Sequence, residues 1–236
     1  MEELYTTWKA IGVAGGDLSF FQDFFVKFYQ AFIEGDRWLQ YLNGVKTTLL
    51  VTALALILGI VLGVLVAMLR TAHDQQRPGH RNPILAVLNL ICKVYVTVIR
   101  GTPMMVQLLI MGFVIFASSR NFTMIGTLTL GINSGAYVSE IVRGGLMSVD
   151  KGQMEAGRSL GLNYMTTMRF IVIPQAVKAI LPALGNEFII LLKDTSLITV
   201  IGGKELLYAA QGIYNRTYEQ MFPLIGTAAL YLVLVI

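Results

Sequence analysis

The sequence predicts an all-α integral membrane protein: five transmembrane helices preceded by an N-terminal amphipathic helix. Composition is the first observation. The 236 residues are 55% apolar and only 14% charged, with a mean hydropathy of +0.66, whereas a soluble domain carries roughly 25% charged residues. The second is a series of apolar runs, several long enough to cross a bilayer, separated by polar segments. The third is a helical spacing of phenylalanines near the N-terminus. A formal net charge of +4, scattered between the runs, excludes a nucleic-acid partner and bears on topology instead.

Residues 1–43 precede the membrane domain. In them Phe20, Phe21, Phe24, Phe25, Phe28 and Phe32 share one helical face, with Gln22, Asp23, Lys27 and Gln30 between them. Such a helix is expected to lie in the membrane interface, its rings at headgroup depth. The acidic start, MEEL, and the lack of a basic leader predict no cleaved signal peptide.

The membrane domain is assigned to 44–236. The first span runs from Gly44 to Leu69, with Gly59 and Gly63 spaced for close helix approach. Residues 70–83 form a polar loop whose His73 and His80 lack a third metal ligand nearby. The run Ile84–Ala117 is expected to be a helix bent at Gly101–Pro103, because proline removes a backbone donor. Cys92 reads as a small buried hydrophobe. Met124–Met147 is the third span and Ile171–Leu192 the fourth. Met221–Ile236 is the fifth, and its lack of a closing basic anchor predicts that the native chain continues. Loops 70–83 and 143–169 share a side and hold Arg70, Arg77, Arg81, Arg143, Lys151, Arg158 and Arg169, against Arg120, Lys204 and Arg216 opposite. The excess places them in the cytoplasm and the N-terminus outside.

Two groups of residues carry the chemistry. Charges within spans are costly and mark sites. Asn133, Tyr137 and Glu140 share a helical face, with Ser134 beside it and Arg143 placed to neutralise Glu140. Arg100 and Thr102 stand at the expected bend, and Asp194 and Ser196 close the fourth span. An amino acid needs a cation for its carboxylate and an anion for its ammonium; Arg100 and Glu140 are candidates for each. The second group is Glu155, Ala156, Gly157, Arg158, Ser159 and Gly161 in the polar stretch 148–169. Their small side chains suit a helix that docks on another protein. No phosphate-binding loop of the form G-x-x-x-x-G-K-[ST] occurs, so any ATP hydrolysis must come from a partner.

The stretch from Glu155 to Pro174, EAGRSLGLNYMTTMRFIVIP, resembles the EAA signature of bacterial ABC importer permeases, with Gly157 for the second alanine and Ile173 for leucine. The strings YVTVIRGTPMMVQ, GINSGAYVSEIVRG, GQMEAGRSLG and IPQAVKAILPALGNEFIILLKDTSL resemble the polar amino acid branch of that family. The likeness covers about residues 44–235. It implies a type I ABC importer permease fold that moves polar L-amino acids by alternating access, and Glu140, which can receive an ammonium or a guanidinium, invites arginine or lysine as the cargo. It also implies a second permease copy or a sister subunit, two ATP-binding cassette subunits holding ATP and Mg²⁺, and an extracellular or periplasmic solute-binding protein. The 155–174 segment would be the coupling element. The alternative is a secondary transporter driven by an ion gradient, but no convincing internal repeat is present. A membrane enzyme lacks any Ser/His or metal constellation in the spans.

Overall fold

The computed structural model describes residues 1–76 and 82–236; Arg77, His80 and Arg81, counted above in a cytoplasmic loop, lie outside them. Helices α1 (Glu2–Val13) and α2 (Phe20–Phe32) pack on one another. Tyr5 stacks on Tyr29 with centroids 4.3 Å apart, and Trp8 meets Phe25 edge-on. Ser19 and Gln22 close a capping box at the start of α2. Lys9 Nζ and Tyr5 Oη both donate to Glu34 Oε1, at 2.6 and 2.7 Å. Phe24 and Phe28 reach Phe222 of the last helix, while Phe20 and Phe21 stay exposed.

The longest helix, α3 (Arg37–Asp74), starts before Gly44 and runs on through Arg70 into the segment expected to be a loop. Its 38 residues span about 57 Å, far beyond the roughly 30 Å apolar core of a bilayer. Helix α4 (Pro83–Gly101) is capped by Asn82, whose side chain accepts from Ile84 N. The bend expected at Gly101–Pro103 is a break. Thr102 and Pro103 are extended, and α5 (Met104–Ile110) starts anew, followed by a π turn at Met111–Ile115. Proline blocks the helical bond and forces the preceding residue out of the α region.

Helix α6 (Phe122–Met147) is central. Two short helices follow, α7 (Lys151–Ser159) and α8 (Tyr164–Thr167), each capped by the side chain before it, Asp150 and Asn163. A π turn at Met168–Val172 leads into α9 (Ile173–Asp194), which ends in a 3₁₀ turn at Thr195–Ile201. The polar segment 193–219 contains α10 (Leu206–Thr217), and α11 (Met221–Val235) follows. Glu205 is almost fully buried at the start of α10. It accepts from Leu207 N and Tyr208 N at 2.8 Å, from Tyr231 Oη at 2.7 Å and from Thr199.

Among the described residues, Glu34–Asp74, Pro83–Gly101 and Tyr164–Ile201 are helical stretches long and apolar enough to cross a membrane. Helix α6 is long enough, at 26 residues, but a stripe of Gly, Ser and Thr lowers its hydropathy. That stripe is the seam of the bundle. Both α3 and α6 offer small residues at helical spacing, and they interdigitate. A Cβ on Gly59 would lie 2.7 Å from Ser134 Oγ, and one on Gly63 2.6 Å from Val138. In return, Gly131 faces Leu58 at 2.6 Å and Gly135 faces Leu62 at 2.9 Å. Close backbone approach of this kind substitutes for the hydrophobic effect, which is weak between helices in lipid. The main apolar core, Val51, Ala55, Leu108, Ile125, Leu130, Leu191, Ile198 and Ile201, extends this seam to α5 and α9.

Gly63→Leu should destabilise the protein by roughly 1–3 kcal/mol through overpacking. The measurement is the thermal midpoint in detergent; an unchanged midpoint would mean that the seam is not closed.

Candidate functional site

The break between α4 and α5 leaves backbone carbonyls without helical donors, and one buried amide meets them. Gln107 Nε2 lies 2.8 Å from Ile99 O, 3.1 Å from Thr102 O and 2.8 Å from Thr102 Oγ1. Its Oε1 accepts from Asn133 Nδ2 at 3.0 Å. A single side chain thus ties the extended segment to the middle of α6. Arg100, at the last turn of α4, lies with its guanidinium 5.2 Å from the centroid of the Tyr137 ring, within cation–π range. Arg100, Thr102, Asn133 and Tyr137, four of the residues singled out from the sequence, are therefore brought together. No acidic side chain pairs with Arg100 among the described residues. An unpaired guanidinium beside an aromatic face can take a carboxylate through paired hydrogen bonds.

The remaining candidates stand elsewhere. Glu140 is not neutralised by Arg143: it pairs with Arg70 of α3, while Arg143 Nη1 holds Asp74 Oδ2 at 2.9 Å. Helical spacing gave Arg143 the right offset, but α3 presents a guanidinium directly opposite. Ser134 turns away from Tyr137 and donates to Glu187 Oε1 of α9 at 2.8 Å, buried in the seam. Asp194 is the last residue of α9 and Ser196 lies in the 3₁₀ turn after it, where Ser196 Oγ donates to Lys193 O at 2.7 Å. No hydrogen bond or ion pair among the described residues joins them to the Arg100 cluster.

Sequence reasoning missed Gln107 and Glu187. A carboxylate inside an apolar span is a signal in itself, and Glu187 carries it. Gln107 had no such signal, because its task depends on where the α4 helix breaks.

The segment expected to couple forms a short helix, with one face different. Gly161 adopts φ +81° and ends the turn after α7, with Leu162 N bonded to Gly157 O at 3.1 Å. Glu155, Ala156, Arg158 and Ser159 are exposed. Gly157 is not part of a bare outer patch. It is buried against the chain itself, and a Cβ there would stand 2.5 Å from Thr167 Cγ2. The missing side chain lets α7 press onto α8 and the π turn, while Ala156 and the protruding Leu160 stay exposed.

Comparison with known proteins places this geometry in context. Residues 84–236 match the model of the family described as binding-protein-dependent transport system inner membrane component. A protein of Rickettsia typhi, named as a candidate glutamine transport system permease, is 35% identical over 90% of this chain and 91% of its own. The glutamine transport system permease protein GlnP of Escherichia coli K12 is 39% identical over 63% of this chain and 69% of its own. A solved amino acid ABC transporter, crystallised with histidines, superposes with a TM-score of 0.74 at 40% identity, covering 83% of this chain and 87% of that one. An inward-facing methionine ABC transporter shares the fold alone, at 21% identity and a TM-score of 0.68.

Gln107→Leu should leave the carbonyls of Ile99 and Thr102 unmet and free Asn133, reducing uptake by about tenfold, given a loss of about 1–3 kcal/mol for stranded buried groups. Uptake in reconstituted vesicles at native levels would show that the amide tie is dispensable.

Proposed function

The chain belongs to the family of binding-protein-dependent transport system inner membrane components, and on that premise we propose that its cargo is a polar L-amino acid. It is an integral membrane permease subunit of an ABC importer of the amino acid type and not itself an enzyme. A permease of this kind works with an ATPase and a solute-binding protein. An ion-gradient carrier is not favoured, since the neighbours in sequence and in fold are ABC permeases.

The observation that carries the cargo is Arg100 above the Tyr137 ring beside Asn133, with no protein carboxylate paired to it among the described residues. The cluster fits the carboxylate end of an amino acid. Glu140 is already held by Arg70, which removes the reason to favour a basic cargo. The names of the relatives point instead to glutamine. The finer assembly is also proposed: a second copy or a sister permease, two ATPase subunits carrying ATP and Mg²⁺, and a binding protein on the opposite side. Ala156, Arg158 and Leu160 form the docking face, with Glu155 and Ser159 at its edge. The basic loops favour α7 in the cytoplasm and the N-terminus outside. Residues 1–43 are read as an interfacial anchor continuous with the span that follows.

Vesicles holding the permease, its ATPase and its binding protein should take up labelled glutamine only with ATP inside the ATPase compartment. Ala156→Trp with Arg158→Glu should abolish copurification of the ATPase while the permease stays folded. Uptake without ATP, or an undiminished complex in the double variant, would sink the reading.

For the anchor, Phe20→Trp should give an indole quenched by brominated lipids. Emission typical of bulk water, with no quenching, would place α2 outside the membrane.

A further inference from the structure

Besides a bond from Gln175 Nε2 of α9 to Gln153 Oε1 of α7 at 3.2 Å, two routes lead from α8 into the bundle. One is covalent, because α8 passes through the π turn Met168–Val172 into α9. The i→i+5 ladder of this π turn interrupts the regular α-helix. The other route crosses space. Tyr164 Oη, at the start of α8, donates to Gln75 Oε1 at 2.5 Å, on the residue that closes α3. The adjacent Asp74 accepts from Arg143 Nη1 of α6 at 2.9 Å. One turn back along α3, Arg70 pairs with Glu140 of α6. Beneath these contacts is a cavity of about 320 Å³, bounded among others by Thr71, Arg143, Met168 and Val172. Polar side chains therefore bridge a gap that apolar packing does not fill.

These contacts contribute little to holding α3 against α6. The glycine seam already does so along the middle of both helices, and Asp74 is about half exposed, at 48%, where an ion pair is weak. Their position is what distinguishes them. They join the end of α3 to α6 at the point nearest α8. Both routes then meet at Ser134, which touches Gly59 of α3 and hydrogen-bonds Glu187 of α9. Ser134 directly follows Asn133 of the Arg100 cluster.

We propose that Tyr164, Gln75, Asp74 and Arg143 form a strut that carries displacement of α7 and α8 into α3 and α6. Asp74 and Arg143 are positioning residues for transport. They touch no cargo and no docking face. The strut makes α3 and α6 move with α9 when the coupling helix is displaced, so that the Arg100 cluster shifts as a unit. The proposal rests on the reading of α7 as the helix that docks the ATPase.

The test uses the complete transporter with its ATPase and binding protein. Arg143→Asp and Asp74→Arg are each expected to lower uptake by about tenfold, a coupling effect of ordinary size. ATPase copurification and the thermal midpoint should stay at native values, while stimulation of ATP hydrolysis by loaded binding protein is lost. The exchange Asp74→Arg with Arg143→Asp should restore both uptake and stimulation, and Tyr164→Phe should reduce stimulation alone. Single variants with native uptake and stimulation would overturn the strut, as would an exchange variant no better than the singles. Loss of copurification in the singles would put the pair in the docking face and also overturn it. Failure of the docking reading shows separately, as an intact complex in the Ala156→Trp, Arg158→Glu variant.

Discussion

The close approach of α3 and α6 is the contact on which the other features depend. Gly59 and Gly63 admit Ser134 and Val138, and Gly131 and Gly135 admit Leu58 and Leu62. In lipid, apolar helices gain little by leaving the surrounding chains for one another, so close packing and buried hydrogen bonds must supply the association. The seam does both. It brings the backbones near enough that Ser134 reaches Glu187 of α9. It also fixes the rotation of α6, so that Tyr137 and Asn133 face the broken segment between α4 and α5.

That rotation sorts the polar groups of α6 into different tasks. Asn133 and Tyr137 face Gln107 and Arg100. Ser134 belongs to the seam, Glu140 to Arg70 and Arg143 to Asp74. Charges inside or near the apolar layer are costly unless paired, and among the described residues all but Arg100 of those argued for the α4–α6 site find a protein partner. An exposed cation left over in such an economy is available to a ligand. At the other end of α6, the same economy of pairing links the bundle to the segment that carries α7.

How far the sequence reached differs from residue to residue. The apolar runs, the helical phenylalanines, the Gly59–Gly63 spacing and the disruption at Pro103 are local signals, and each found a structural counterpart. Gly157 was legible as a small residue needed for close contact, but not which body it contacts. Its own chain, at Thr167 and Ile171, takes the space that a partner was expected to fill. Glu187 is an acid in an apolar run, a local signal that was passed over. Glu205 lay hidden in a stretch that reads as a polar loop, yet it is a buried cap with four donors.

By itself the sequence determined the class, the main apolar helices and the short motif that joins them, because hydropathy, period and proline act over a few neighbouring residues. Only the tertiary structure decided which charge meets which. Arg143 lies three residues from Glu140, the offset of neighbours on one helical face, but it pairs with Asp74, and Glu140 pairs with Arg70 across 70 positions of chain. Such choices depend on the rotation and offset of two helices against each other. The glycines of the seam set both.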